Sequence, residues 1–419
     1  MSNLSQFYPG PISIGGAIVQ PEAGDMLTFE EGNVYLRSGS TASASTYNRA
    51  ALRDWMKVFG SQLGTLPVTP NAGATRIATD TTGQYVVVVY GDATNVLKSS
   101  DYGATFTAVA HNMPVGQPND VIFALGRFIL AGNTTSAFGY SQSNNYATTF
   151  TFTSAGNTTC GSAASATANT TRLAASSTTI VAIANSGNAS NALGTSTTGT
   201  SFTAQNASFA PGFIVNVAFS SASGLFVFAP ITAGANYYTS ANGSTGSFTT
   251  RTYTSAIQSI VGLTPKQVIA NPSVFLYISS TGAMSSSDGI NWTLKNLPRG
   301  VSASGVQSNL LTVDGSDFVM GDSSSAAAGG AYAFFVSTDN AANWKRYWLN
   351  YSVASGTANI VVSKVGTRLL AVTNGTSTAT MTSSGYPNSP DLIGSKLTFD
   401  ATGSVSNTQT SMPIYLRIA

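Results

Sequence analysis

Acidic residues are the groups from which this chain would have to build hydrolytic chemistry, and they are sparse. Cleavage of a glycosidic bond ordinarily needs two carboxylates about 5–9 Å apart. All three glutamates lie within residues 22–31, so every later carboxylate belongs to an aspartate. One local cluster occurs, at Asp314, Asp317 and Asp322. Because Asp314-Gly315 is a strong turn signal, we interpret the cluster as a β-hairpin, with a calcium site and catalysis as the alternatives.

The chain has few residues that could bind a metal ion or act as a catalytic thiol. The chain has one histidine, His111, and one cysteine, Cys160. Zinc sites need three or four such ligands, and a catalytic thiolate needs a nearby base. We therefore expect Cys160 to be an inert thiol without a disulfide partner and His111 to lie in a loop. The sequence implies no metal and no cofactor.

The charge pattern excludes further classes of protein. Charged residues make up 8% of the chain, against roughly 25% in ordinary soluble domains. The net charge is +2, and no dense run of Lys and Arg forms the basic stripe that nucleic-acid binding requires. No apolar run reaches the length of a membrane span, and no basic leader precedes an apolar stretch at the N-terminus. We expect neither a nucleic-acid partner nor membrane insertion, and no signal peptide.

A short phrase recurs at a spacing of about 45 residues, the length of one four-stranded propeller blade. Each copy has small polar residues, then an Asp or a polar substitute, then a Gly or Ala, and an aromatic residue shortly after. Asp and Asn form local turn bonds, Gly permits positive φ, and a large ring buries apolar area. The turn positions are Asp101, Gly103, Asn145, Thr197, Gly199, Asp288, Gly289 and Asp339, and the aromatic positions are Phe106, Phe150, Phe202, Trp292 and Trp344.

Short strands separated by Gly, Asn, Ser and Thr begin at about residue 72. Some 28 strands in one open sheet would accumulate too much twist, whereas small sheets arranged radially avoid that problem. We therefore predict an all-β fold, a seven-bladed β-propeller of four-stranded blades over residues 71–402. Six blades is the alternative, because the turns at 241–248 and 383–387 are irregular.

The repeated phrase resembles the Asp-box of sialidase-type propellers, Ser-x-Asp-x-Gly-x-x-Trp. In that family the box joins the third and fourth strands of a blade and its aromatic ring packs between neighbouring sheets. The resemblance implies a structural role for the turn positions given above. It does not extend to sialidase activity, because no glutamate follows Glu31 and Arg76 stands in Thr-Arg-Ile-Ala, without the proline of the family's arginine motif. We predict that the chain is not an enzyme.

Residues 1–70 differ from the rest of the chain. Residues 46–59 predict the one helix of any length, followed by Gly60 as a stop. Its apolar face would consist of Leu52, Trp55, Met56 and Phe59. We expect this region to attach the chain to other virion proteins or to sister chains, and these four residues are the candidates for that contact.

Both ends of the chain resemble bacteriophage appendage proteins. The segment 24–39, Gly-Asp-Met-Leu-Thr-Phe-Glu-Glu-Gly-Asn-Val-Tyr-Leu-Arg-Ser-Gly, is similar to phage anchoring sequences. The segment 410–419, Thr-Ser-Met-Pro-Ile-Tyr-Leu-Arg-Ile-Ala, is similar to the closing phrase of tail and fibre proteins. Residues 403–419 are expected to pack on the propeller or on a sister chain. The resemblance implies a virion component, made in the bacterial cytoplasm and assembled as a homo-oligomer, with a trimer favoured.

The expected function is a tail fibre or spike that displays the propeller for attachment to a host-surface glycan or protein. A purely structural decoration, collar or head-fibre protein is the alternative, and a glycan-cleaving enzyme has low weight. Candidate ligand contacts lie in loops opposite the repeated turns, where aromatic rings can stack on a partner. They are Tyr237, Arg299, Tyr347, Trp348 and Tyr351, and the alternative for each ring is that it fills a gap between blades.

Overall fold

The structure of the chain is a computed structural model. The structure describes residues 12–14, 17–19, 26–28, 34–37, 41–42, 61–67, 76–113, 117–133, 138–154, 172–183, 193–205, 214–230, 236–255, 257, 265–279, 282–298, 311–321, 331–352, 359–366, 368–374, 379–383, 397–399, 405–407 and 415–417. The elements bounded within these residues are all β-strands. The predicted helix at 46–59, with its apolar residues, lies outside the described part.

The chain forms two compact units. One, the propeller unit, spans Gly60–Tyr386, and the other, the end unit, joins Met1–Phe59 to Pro387–Ala419. Sequence analysis placed the corresponding boundaries at residues 70 and 402. The unit boundaries therefore assign a strand just after residue 60 to the propeller unit rather than to the N-terminal region.

The first six strands precede the blades. They are β1 (Ile12–Ile14), β2 (Ala17–Val19), β3 (Met26–Thr28), β4 (Val34–Arg37), β5 (Thr41–Ala42) and β6 (Ser61–Thr65).

Six blades are each built from four consecutive strands. Blade 1 contains β7 (Arg76–Thr79), β8 (Val86–Val89), β9 (Asn95–Ser99) and β10 (Thr107–Ala110), and blade 2 contains β11 (Gln117–Ala124), β12 (Arg127–Asn133), β13 (Phe138–Ser143) and β14 (Thr151–Ser154). Blade 3 contains β15 (Arg172–Ala175), β16 (Ile180–Ile183), β17 (Leu193–Ser196) and β18 (Thr203–Gln205), and blade 4 contains β19 (Ile214–Ser220), β20 (Leu225–Pro230), β21 (Asn236–Ser240) and β22 (Thr249–Thr252). Blade 5 contains β23 (Pro265–Ala270), β24 (Phe275–Ser279), β25 (Ala283–Ser286) and β26 (Thr293–Lys295), and blade 6 contains β27 (Leu311–Asp314), β28 (Asp317–Gly321), β29 (Ala331–Ser337) and β30 (Lys345–Ser352).

The remaining strands follow blade 6. They are β31 (Asn359–Val365), β32 (Arg368–Asn374), β33 (Ala379–Ser383), β34 (Leu397–Phe399), β35 (Val405–Asn407) and β36 (Tyr415–Arg417). A further four-stranded sheet, which we call the composite sheet, has the order β31-β32-β33-β6 and so combines strands from distant parts of the sequence.

The first strand of each blade is its inner strand. These strands contact one another in chain order, from β7 to β11, β15, β19, β23 and β27, and β31 of the composite sheet contacts both β27 and β7. All pairings within the blades are antiparallel meanders. The all-β propeller with four-stranded blades is therefore confirmed, with six blades of consecutive strands, the number that sequence analysis held as its alternative.

Alternation along each strand explains how the blades hold together. Successive side chains of a strand point to opposite faces of its sheet. In β8, Val86 and Val88 join a core cluster with the composite sheet, whereas Val87 and Val89 join a cluster with blade 2. A blade between two neighbours is covered on both faces, so its strands read as continuous apolar runs. All four valines are fully buried for this reason.

The end unit brings together the two termini of the chain. It contains the two-stranded sheet β1-β2 and two three-stranded sheets, β3-β4-β36 and β34-β35-β5. In the first of these, Leu36 on β4 pairs with Leu416 on β36. In the second, Ser406 on β35 pairs with Thr41 on β5. Strands from both ends of the sequence are thus needed to complete each three-stranded sheet.

Candidate functional site

The repeated turn between the third and fourth strands is held by side-chain hydrogen bonds to its own backbone. In blade 1, Ser99 Oγ accepts the N–H of Gly103 at 2.9 Å and donates to Asp101 Oδ1 at 2.7 Å. Asp101 Oδ1 also accepts the N–H of Thr105 at 2.9 Å. Gly103 has φ +78°, a conformation that glycine adopts without strain. The side chains of Ser99 and Asp101 and the positive φ of Gly103 together stabilise this turn.

The same turn recurs with substitutions in blades 2 and 6. Asn145 Oδ1 accepts the N–H of Thr149 at 3.1 Å, and Asp339 Oδ1 accepts the N–H of Asn343 at 2.9 Å. Alanine stands at the glycine position in both turns, and Ala147 and Ala341 adopt positive φ of 60° and 63°. The network of side-chain bonds therefore holds an alanine in a region that it rarely visits.

The turns of blades 3 and 5 are one residue shorter, and in blades 3, 4 and 5 the glycine follows the turn serine by three residues rather than four. In blade 3, Ser196 Oγ accepts the N–H of Gly199 at 2.8 Å, and Thr198 Oγ1 accepts the N–H of Thr200 at 3.2 Å. Thr197, which sequence analysis placed at the acceptor position, is exposed, and Thr198 takes the acceptor role instead. The correction arises because the shorter turn moves the acceptor one residue closer to the glycine.

Asp288 in blade 5 has the richest set of donors among the turns. Its Oδ1 accepts the N–H groups of Ile290 at 2.8 Å and Asn291 at 2.7 Å and the hydroxyl of Ser286 at 2.9 Å. Burial acts in the opposite direction, but these hydrogen bonds, together with one from Asn291 Nδ2, lower the pKa of Asp288 to about 2. The pKa values of Asp101 and Asp339 are lowered in the same way. These carboxylates act as structural acceptors.

The aromatic residues after the turns pack between neighbouring sheets. Phe150 lies in the core shared by blades 1 and 2, and Phe202 in the core shared by blades 2 and 3, where it meets Tyr140 edge-on at 4.8 Å. Trp292 packs against the core of blades 4 and 5 and Trp344 against that of blades 5 and 6. The remaining ring, Phe106, packs against the core that blade 1 shares with the composite sheet.

The predicted ligand contacts do not assemble into one described site. Tyr237 is fully buried, its hydroxyl donates to the carbonyl oxygen of Ile290 at 2.8 Å, and its ring stacks on Tyr253 at 4.3 Å. It thus fills a gap between blades 4 and 5, which was the alternative held for it. Arg299 lies outside the described residues. Tyr347, Trp348 and Tyr351 lie on β30, whose side chains from residue 346 onward the structure does not describe.

A polar layer that sequence analysis missed emerges from the strand registers. In blades 1 to 5 the turn serine pairs with a residue of the second strand, and three residues farther along, that strand pairs with an equivalent position of the inner strand. Ser99 pairs with Val86, for example, and Val89 then pairs with Arg76. The equivalent inner-strand residues of blades 1 to 5, which we call the inner polar layer, are Arg76, Asp120, Arg172, Asn216 and Gln267.

Two side chains of the inner polar layer link their own blade to the next one. Asp120 Oδ2 accepts the N–H of Leu173 on the inner strand of blade 3 at 2.8 Å. Gln267 uses both ends of its amide, because Oε1 accepts the N–H of Leu311 and Nε2 donates to the carbonyl oxygen of Leu311, each at 3.0 Å. Hydrogen bonds between adjacent inner strands, which no ladder connects, therefore pass through these side chains.

Backbone irregularities place three of these side chains. Register shifts occur between Pro118 and Asp120, between Ile214 and Asn216, and between Pro265 and Gln267. A β-bulge inserts one residue and changes the direction in which the next side chain points. Each shift directly precedes a residue of the inner polar layer, so the bulges turn polar side chains toward the neighbouring blade.

The three charged residues of the inner polar layer lie in blades 1 to 3. Arg76, Asp120 and Arg172 are between 8 and 9% exposed. Burial lowers the pKa of Arg76, with a smaller effect of Arg172 in the same direction and an opposing one from Asp120. Burial likewise lowers the pKa of Arg172 and raises that of Asp120, while the two arginines and the N–H groups of Leu173 and Val121 stabilise the Asp120 carboxylate. The three groups therefore interact electrostatically inside the protein.

His111 lies in the loop between β10 and β11, as the sequence predicts, and its side chain is fully buried there. The backbone N–H of His111 donates to the carbonyl oxygen of Thr94 at 3.0 Å, and its backbone carbonyl oxygen accepts a hydrogen bond from the hydroxyl of Ser141. Its Nδ1 accepts the N–H of Met113 at 3.1 Å, so the neutral ring carries its hydrogen on Nε2. Burial lowers the pKa of His111. The residue thus fixes the connection between blades 1 and 2.

Asp314 and Asp317 of the acidic cluster lie on the predicted hairpin of blade 6, whereas Asp322 lies outside the described residues. Asp314 pairs with Asp317 across a turn in which Gly315 has φ +62°. Asp314 also forms an ion pair with Lys364 on β31. Within the described residues, no group of three His, Cys, Asp or Glu side chains has an arrangement that would hold a metal ion. The described residues also contain no helix of the length and apolarity that a membrane span needs.

Comparison with known proteins supports the fold. No protein-family model and no curated protein matches the chain. A solved structure of YCF48 bound to a D1 peptide aligns with a TM-score of 0.50 and 15% identity, over 76% of this chain and 95% of that one. YCF48 from Cyanidioschyzon merolae aligns with a TM-score of 0.46 and 13% identity, over 79% of this chain and 99% of that one. The chain therefore shares a β-propeller fold with YCF48.

Proposed function

We propose that this chain is a non-enzymatic component of a bacteriophage particle, in which the end unit attaches the chain and the propeller binds a partner. The observation that carries the proposal is the pairing of β4 with β36. These strands lie in the two segments, 24–39 and 410–419, that resemble phage appendage sequences. Their pairing within a unit separate from the propeller is what an anchoring module requires. The virion is the proposed location, and a trimer is the proposed assembly.

We further propose that the composite sheet is a seventh blade, closed by the N-terminal strand β6. Two contacts support this ring. Val365 and Leu370 of the composite sheet share a core cluster with Val86 of blade 1. A Cβ atom on Gly83 of blade 1 would lie 1.8 Å from the backbone nitrogen of Gly366, so the two backbones approach closely. A ring closed in this way leaves no uncovered apolar sheet face between the first and last blades.

Disrupting β6 tests the closure. Gln62 on β6 pairs with Met381 on β33. β6 is the outer strand of the composite sheet, and proline at position 62 lacks an N–H for the ladder with β33. Because an edge strand tolerates proline better than a central strand, Gln62→Pro should lower the free energy of unfolding by about 1–2 kcal/mol. Gln62→Ala is the matched control and should cost less than about 1 kcal/mol. Equal stability of the two variants in denaturant titrations would refute the seventh-blade proposal.

The partner of the propeller is proposed to be a host-surface protein or glycan. A propeller of related fold, YCF48, has been solved bound to a D1 peptide, which supports a protein partner as the first choice. Purified full-length chain should then bind susceptible cells and reduce adsorption of the phage. Particles that adsorb normally to cells saturated with the chain would contradict the attachment role and favour the alternative, a structural decoration or collar protein.

Location on the particle is tested directly. Antibodies raised against the full chain and visualised by immunogold labelling should mark purified particles at a fixed site. Unlabelled particles would refute the virion proposal. Release of reducing sugar from host polysaccharide by the purified chain would instead favour the low-weight alternative, a glycan-cleaving enzyme.

A further inference from the structure

The inner polar layer carries an uneven charge. Its charged members are two guanidinium groups, of Arg76 and Arg172, and one carboxylate, of Asp120. The charges of Arg172 and Asp120 both affect the pKa of Arg76, and Arg172 disfavours the cationic form of Arg76. The sequence contains no acidic residue between Asp120 and Asp288, so the loops of blades 2 to 4 supply no second carboxylate. The formal charges of Arg76, Asp120 and Arg172 therefore sum to +1.

The position of the layer is fixed by the topology. Arg76 and Arg172 are the first residues of their inner strands, β7 and β15. In an antiparallel meander the first-to-second hairpin and the third-to-fourth turn lie at the same end of the sheet. The amino ends of the inner strands consequently lie at the end opposite the repeated turns. This is the end on which binding was predicted from sequence.

The direction of the side chains follows from strand alternation. Arg76 lies two residues before Ala78, which packs in the core between blades 1 and 2, so the two side chains share a face. By the same rule Asp120 shares the face of Ile122, toward blade 3, and Arg172 that of Ala174, toward blade 4. The charged groups thus stand in the order cation, anion, cation across three consecutive blades.

We propose that this part of the inner polar layer binds one carboxylate group of a partner molecule. Guanidinium groups recognise planar carboxylates through paired N–H donors. A monoanionic carboxylate brings the summed charge of the three side chains and the ligand from +1 to zero. A dianionic phosphate would make that sum negative, which the Asp120 carboxylate disfavours. The inference names the chemistry of the partner that the proposed function requires. It rests on the proposed function in one respect, that the partner is found on a host surface.

Two sources of a carboxylate are distinguished by matched probes. The first pair is acetyl-Gly-Gly with a free C-terminal carboxylate and the same peptide as its C-terminal amide. The second pair is glucuronate and glucose. Saturation-transfer NMR on the full-length chain measures the binding of each probe. At least one acid should bind more tightly than its neutral counterpart, by about tenfold or more, which is the scale of one charge-assisted pair of hydrogen bonds.

Three variants separate a binding role from a structural one. Arg172→Gln should weaken binding of the acid by about tenfold. Arg251→Gln is the control, since Arg251 lies on the outer strand β22 and bonds to Thr239, and it changes the net charge equally. Asp120→Asn raises the summed charge of the three side chains to +2 and should strengthen binding. A residue with only a structural role would not produce this gain.

The outcomes are decisive for the carboxylate site alone. Tighter binding by Asp120→Asn and weaker binding by Arg172→Gln both support the site. Either result suffices if the other variant folds poorly. Equal binding of the acids and their neutral counterparts, or equal binding by Arg172→Gln and Arg251→Gln, overturns it. Because these assays need no particle, their failure is distinguishable from failure of the virion proposal, which immunogold labelling tests.

Discussion

Replacement of Asp288 by alanine tests the mechanism that holds the repeated turns. The Asp288 carboxylate accepts four hydrogen bonds, three of them on Oδ1. A pKa of about 2 in place of 3.8 corresponds to at most about 2.4 kcal/mol of stabilisation. Since the turn is partly exposed, solvent screening reduces this charge contribution to about 1 kcal/mol. With the lost hydrogen bonds, we expect Asp288→Ala to lower the free energy of unfolding by about 1–2 kcal/mol at neutral pH.

The pH dependence gives the prediction its sign. The pKa of Asp288 is lower in the folded state than in the unfolded chain, so its contribution is fully present above pH 4. It declines as the pH falls through about 2, where the folded state also takes up the proton. The stability difference between the wild-type chain and Asp288→Ala should therefore shrink between pH 4 and pH 2.

Guanidinium titrations of both chains at pH 7 and at pH 2 measure this difference. Asp317→Ala is the control, because the Asp317 carboxylate accepts a single described hydrogen bond, from Ser316 at 3.2 Å. It should change the free energy of unfolding by less than about 0.5 kcal/mol. A loss for Asp288→Ala that is no larger than the control, or that is the same at both pH values, would refute the reasoning.

Three further predictions concern the seam between sheets, the single histidine and a candidate contact residue. Gly83→Ala should destabilise the chain by several kcal/mol through its clash with Gly366, whereas Gly126→Ala, which has similar φ but open space, should cost about 1 kcal/mol; comparable denaturation midpoints would argue against the close approach. Because burial lowers the pKa of His111, stability should fall as the pH drops below about 6.5, and His111→Gln should lack this dependence in titrations at pH 7.5 and 5. Trp348→Ala should weaken binding to host cells with an unchanged melting temperature, and a collapsed fold would assign the ring to the core.

The repeated turns were predictable from sequence because their chemistry is local. Asp101 and the glycine two residues later act within one turn, so their spacing alone reveals the structure. The same reasoning failed at Thr197, since the shorter turn of blade 3 is a backbone property that the spacing of residue types does not show. The sequence correctly placed His111 in a loop but did not show its burial, because that burial depends on Ser141 and Met113, which come together with it only in the folded chain.

The candidate carboxylate site was beyond the reach of sequence reasoning. Arg76, Asp120 and Arg172 belong to three different blades and share no motif. They become equivalent only through strand register, and in blade 2 only through the bulge before Asp120. The signal that would have found them is the repeat itself, aligned on the turn serines and extended across each blade to the inner strand.

The sequence by itself determined the class of fold and the positions of the turns between its strands. Alternating apolar residues, small polar turns and recurrent aromatic rings specify short strands and their hairpins, because each depends on neighbours within a few residues. Only the tertiary structure decided which strand joins the composite sheet, which residues meet at the inner strands and which rings are buried. Those outcomes depend on contacts between segments hundreds of residues apart, such as β6 with β33, and their free energy appears only when the sheets pack together.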